Sequence, residues 1–258
     1  MNKKSYYKAS NWNAVEDQVD RSAWARLNDI VYEPRRVPIH EDRDEFSHLP
    51  KTEQTMLLHS FGSLALSSTL QMKVSLSKIK QDAENSEEAA VYNALQYLES
   101  INNKAYGHAL TEFSTSNEQR DEAFNWANQN PYLQKKMRLL NTVYQSDNAI
   151  QKKAAHVFIS TGLYHSSFFG PLYLFGQHKL PRTAELIKYA LRITTLNGIY
   201  TGIKFRRDFF NLSKEEQKNI HKWVYDLCDR LYANELNHIH LLYEDCLLYT
   251  SPSPRDCS

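Results

Sequence analysis

Glycine and proline are scarce in this 258-residue chain, at 7 and 8 residues, and between residues 51 and 245 only Pro131, Pro171 and Pro181 stand as helix breakers. So few turn formers exclude a fold of many short strands and favour long helices. Cysteine is as thin: Cys246 and Cys257 lie near the C-terminal end, and Cys228 alone supports neither a disulfide framework nor a thiolate metal site. An excess of either charge is also missing. With 31 Lys and Arg against 30 Asp and Glu, no electrostatic footprint points to nucleic acid or an anionic membrane. No apolar run approaches the ~20 residues that span a bilayer, and the opening MNKKSYYKASNWN has no signal-peptide core. A cytoplasmic protein is expected.

What is present is helical periodicity. With 41% hydrophobic residues the chain can bury one sizeable core. Val19, Ala23 and Leu27 predict a helix over 14–30, followed by an extended connection over 34–50. Met56, Leu57, Phe61, Leu64 and Leu70 recur at three and four and predict a long helix over 51–83. Asn85 with Glu88 forms a capping box opening a helix to about Phe113, Thr115 with Glu118 opens another, and Asn130-Pro131 divides that one from a helix to Tyr144. Apolar segments over 149–176 and 183–210 follow, and Ser213-x-x-Glu216 caps a last helix to Asp245. The pattern predicts an all-α, ferritin-like helical bundle of one domain over residues 1–245, with four long core helices. From Cys246 the text CLLYTSPSPRD abandons this pattern and resembles a translated sequencing adapter; a Pro/Ser-rich tail is the alternative. Residues 246–258 are set apart on that ground.

Two helix-face motifs draw attention, Glu99-Ser-Ile-Asn102 and Thr194-Thr-Leu-Asn197, because positions i and i+3 share one face of a helix. Tyr106 lies on the same face as Glu99 and Asn102. Taken singly these are bland. A Glu-x-x-Asn pair usually faces solvent, and a tyrosine among 16 is usually packed core. Tyr164, Phe168, Phe169 and Tyr173 read as core packing, the Lys/Glu alternation over 214–222 as a solvated face, and His165, taken as the histidine nearest Ser160, as structural or solvent-facing.

Ordered strings change the weight of these positions. They include Asn11-Trp-Asn13, Arg35-Arg-Val-Pro38, Ser68-Thr-Leu-Gln71, Glu99 to Tyr106, Val157-Phe158, Gly198-Ile-Tyr-Thr-Gly202 and Leu231-Tyr-Ala-Asn-Glu235. Over about residues 10–245 the chain resembles the class Ib type of ribonucleotide reductase small subunit, the radical-generating partner in deoxyribonucleotide synthesis. The resemblance implies six ligand positions for a di-iron or di-manganese centre, which fall at Ser68, Glu99, Asn102, Ser160, Thr194 and Asn197. Five of the six have changed. Small neutral side chains stand where carboxylates and imidazoles would be, and no bound metal cofactor is expected, with a hydrogen-bonded interior around Glu99 instead. The family's radical tyrosine matches Tyr106. Its radical-transfer tryptophan falls at Tyr32, and an aspartate beside Thr194 has become Ile193. A large subunit is the implied partner, with a homodimer or a heterodimer with an intact small subunit, and no nucleic-acid or membrane partner. Three roles stay open: a subunit with a metal-independent Tyr106 radical, a non-catalytic assembly partner, or a retired remnant.

Overall fold

The computed structural model describes residues 9–246, and among them every regular element is helical. In chain order these are α1 (Gln18–Asp29), α2 (Arg43–His48), α3 (Lys51–Leu70), α4 (Leu76–Lys80), α5 (Ser86–Phe113), α6 (Asn117–Gln129), α7 (Pro131–Tyr144), α8 (Ala149–Phe158), α9 (His165–Gly176), α10 (Pro181–Asn211) and α11 (Lys214–Tyr243). Helix α3 packs on α5 and α6, α10 on α8 and α9, and α11 on α7. The four long segments expected from periodicity form the centre of the bundle. Most of the segment set apart as adapter-like, residues 247–258, lies outside the described residues, as do residues 1–8.

Capping chemistry fixes most boundaries. The Asn85 side chain accepts from the Glu88 N–H at 2.7 Å while Glu88 accepts from the Glu84 N–H at 3.0 Å, and Ser213 with Glu216 forms a full capping box. Two boundaries depart from expectation. Helix α1 begins at Gln18 because Asp17, whose carboxylate accepts from the Val19 N–H, is its N-cap; Ser116 rather than Thr115 caps α6.

The stretch expected to be extended, 34–50, instead holds two 3₁₀ turns, Pro34–Arg36 and Ile39–Asp42, and α2. Its buried Asp42 has a long-range task. The carboxylate accepts from the Thr183 N–H at 2.7 Å and hydroxyl at 2.8 Å and from the Arg182 N–H at 3.3 Å, while Glu45 accepts from the Leu180 N–H at 2.8 Å. These carboxylates satisfy the free N–H groups of the first turn of α10 and hold Leu180 at a φ of 51°.

Two core segments are interrupted by π-helical turns, Gln71–Ser75 after α3 and Ile159–Leu163 after α8. Pro171 does not end α9, because the Tyr243 hydroxyl enters the backbone ladder one residue earlier. It accepts from the Gly170 N–H at 3.0 Å and donates to the Ser166 carbonyl at 2.5 Å.

A buried ion cluster ties α1 to the bundle. Lys204 lies 3.1 Å from Glu88, 3.3 Å from Asp20 and 3.7 Å from Asp17. Asp20 also accepts from the Tyr200 hydroxyl at 2.8 Å and the Asn85 amide at 3.2 Å. Lys153 extends the cluster to Asp208 at 2.6 Å.

Candidate functional site

All six positions singled out by resemblance are buried in the bundle interior: Ser68 on α3, Glu99 and Asn102 on α5, Ser160 in the second π turn, and Thr194 and Asn197 on α10. Gly198 lets α10 lie close to that turn, since a Cβ there would sit 2.4 Å from the Thr161 methyl and 3.4 Å from the Ser160 Cβ. The Thr161 side chain is itself tied down by its bond to the Val157 carbonyl at 2.7 Å.

The six share a region but not a single network. Glu99 and Asn102 bond to each other, the Asn102 amide donating to Oε2 at 3.3 Å. The other Glu99 oxygen accepts a short bond from the Tyr164 hydroxyl, and the Asn102 carbonyl accepts from Tyr32 at 3.1 Å. Ser68 and Thr194 turn to their own helix backbones: Ser68 donates to the Ala65 carbonyl at 3.2 Å, and Thr194 to those of Ala190 and Leu191, both at 3.1 Å. Ser68 also accepts from the Asn103 amide at 2.7 Å. The Ser160 hydroxyl has no hydrogen-bond partner among the described residues, and neither has that of Tyr106.

Asn197 binds His156, a histidine not among the residues singled out from the sequence. The ring of fully buried His156 makes bonds of 2.6 Å from Nε2 to the Asn197 carbonyl oxygen and 2.7 Å between Nδ1 and Ser75. The carbonyl requires a proton on Nε2, so the Ser75 hydroxyl donates to Nδ1. His165, the histidine taken as nearest to Ser160, is exposed. His156 lies closer in sequence and, four residues before Ser160, shares its helix face; that spacing was the available signal.

Burial dominates the electrostatics. It raises the Glu99 pKa to about 7, against the opposing bonds from Tyr164 and Asn102, and lowers that of His156 to about 4, partly offset by Asn197. The Tyr106 and Tyr164 hydroxyls are pushed well above the usual phenol range, first by burial and then by the nearby Glu99.

The family model for the small chain of ribonucleotide reductase matches residues 9–252. This chain belongs to that family. As a small chain, it is 34% identical over 237 residues to the ribonucleoside-diphosphate reductase subunit beta nrdF1 of Mycobacterium tuberculosis, covering 92% of this chain and 73% of that one. It is 29% identical to ribonucleoside-diphosphate reductase 2 subunit beta of Escherichia coli, covering 94% and 76%. The crystal structure of dimanganese(II) NrdF from Streptococcus sanguinis superposes with a TM-score of 0.91 at 38% identity, covering 93% of this chain and 84% of that one. The helical bundle is therefore the small-chain fold.

At the six positions this small chain offers one carboxylate, three hydroxyls and two amides, with His156 beside them. Hydroxyl and amide oxygens carry no anionic charge, and Glu99 and His156 are each engaged by protein partners. Among the described residues no three His, Cys, Asp or Glu side chains form a group able to hold a metal ion. No helix among the described residues is long and apolar enough to cross a membrane.

Proposed function

We propose that this chain is a ribonucleotide reductase small subunit that works with a large subunit in deoxyribonucleotide synthesis without a di-metal centre of its own, its chemistry carried by buried tyrosine. The donor set at the six positions does not fit two iron or manganese ions. Four carboxylates and two imidazoles would balance such a centre, whereas here a single carboxylate is held by a phenol and an amide. The retained Glu99, with the Tyr164 hydroxyl on one oxygen and the Asn102 amide on the other, is the observation that carries this reading. It leaves a proton acceptor among buried tyrosines, as tyrosine redox chemistry requires.

A second reading is favoured by the unpartnered Tyr106 hydroxyl. The family's radical position has no proton acceptor among the described residues, as suits a subunit that only assembles with an intact small chain. The test is metal analysis and turnover with the native large subunit after chelation. Deoxyribonucleotide formation by metal-free protein supports the first reading. Tight stoichiometric iron or manganese overturns it, and turnover only in heterodimers with an intact small chain supports the second.

A further inference from the structure

We propose that the redox-active tyrosine of this interior is Tyr164, with Glu99 as the acceptor of its proton. The inference rests on the reading that buried tyrosine carries the chemistry, and it names the residue. A phenol is oxidised to a neutral phenoxyl only if its O–H proton has somewhere to go as the electron leaves. Tyr106 is fully buried and its hydroxyl meets no acceptor among the described residues. Tyr164 is equally interior, at 2% exposure, and its hydroxyl donates to Glu99. Of the six ligand positions implied by resemblance, the only carboxylate retained is the one this phenol engages.

The surroundings complete the arrangement. The Asn102 amide occupies the second Glu99 oxygen at 3.3 Å and fixes the carboxylate. The Asn102 carbonyl accepts from Tyr32 at 3.1 Å, so Tyr164, Glu99, Asn102 and Tyr32 form one hydrogen-bonded series. Tyr32 is half-buried and stacks on Tyr189, with ring centroids 4.8 Å apart and planes 11° from parallel. The series thus runs from the centre of the bundle to a stacked aromatic pair nearer its surface.

In the step itself the Tyr164 O–H bond breaks, its proton forms a bond to Glu99 Oε1, and one electron leaves by the Tyr32–Tyr189 stack. A high-potential one-electron oxidant of the metal(III)-complex class is reduced by that electron. The products are the neutral Tyr164 phenoxyl radical, a neutral Glu99 carboxylic acid and the reduced complex.

The test places fluorotyrosine singly at position 164 or at position 106 of the full chain. Each protein is oxidised with photogenerated tris(bipyridyl)ruthenium(III), held until exposed tyrosyl radicals have decayed, and frozen for electron paramagnetic resonance. A persistent radical with fluorine splitting only in the 164-labelled protein is expected, and Glu99→Gln should lower its yield at least about tenfold. Fluorine splitting only in the 106-labelled protein overturns the assignment and leaves the tyrosine-based reading standing. No persistent tyrosyl radical in either protein overturns both.

Discussion

Two of the polar interiors of the bundle solve burial in opposite ways. Around Lys204 the chain keeps full charges, with Asp20, Glu88 and Lys204 all at 3% exposure or less, and balances them against one another. Around Glu99 it keeps one carboxylate and surrounds it with neutral donors from Tyr164 and Asn102. A charged cluster is tolerated inside a protein when its counterions belong to the chain. Among the described residues the Glu99 network contains no lysine or arginine. The difference teaches that the first interior stands on ionic balance and the second on shape and hydrogen bonding.

The largest expected effect breaks the first interior. Lys204→Met leaves Asp20 and Glu88 without their shared cation and should lower unfolding free energy by about 3–5 kcal/mol, read from urea denaturation. A loss below about 1 kcal/mol would mean that the cluster is not ionically balanced.

The second interior is tested by pH. The Glu99 pKa, about 7 in the fold against 4.5 ordinarily, makes its contribution to stability greatest below 4.5 and lost as pH climbs through about 7, a swing of about 3 kcal/mol. His156 runs the other way. Its pKa of about 4, against 6.5 ordinarily, gives stability present above 6.5 and lost as pH falls through about 4, by a similar amount. Relative to the parent, Glu99→Gln should therefore become more stable by about 3 kcal/mol from pH 4.5 to 7, and His156→Gln less stable from pH 4 to 6.5. Urea midpoints across pH separate the two slopes; parallel slopes would refute the opposition.

Gly198→Ala probes shape without touching charge. Its Cβ would press on the Thr161 methyl, at a cost of about 1–3 kcal/mol in thermal unfolding that does not vary with pH. Ser160→Ala is the smallest change. It removes a hydroxyl with no partner among the described residues and should be neutral or stabilising by up to about 1 kcal/mol, whereas a clear loss would reveal a bond to that hydroxyl.

Element boundaries were legible where local chemistry sets them. Asn85, Ser213 and Pro131 mark helix starts by rules that act over a few residues. The stretch 34–50 was misread because Asp42 and Glu45 serve the distant N-terminus of α10, and no local pattern reveals that. The π turns were invisible for a similar reason, since apolar spacing continues through them. At the site, resemblance picked out six positions that all lie inside the bundle, but their partners came from elsewhere. Tyr164 was absorbed into an aromatic run, and His156 was overlooked beside a more distant histidine. The Lys204 cluster draws on residues 20, 88 and 204, whose proximity only the tertiary fold creates.

The π turn at Ile159–Leu163 sets the phase of all that follows it in α9. One extra residue in a helical turn advances the remaining side chains by about 100° around the axis. Tyr164 and Phe168 occupy the inward sector, and His165 and Phe169 the outward one, in the register this insertion selects. Removing a single residue from the turn would rotate that assignment, carrying the phenol away from Glu99. The helix therefore works as a dial, and its setting is a matter of residue count as much as residue type.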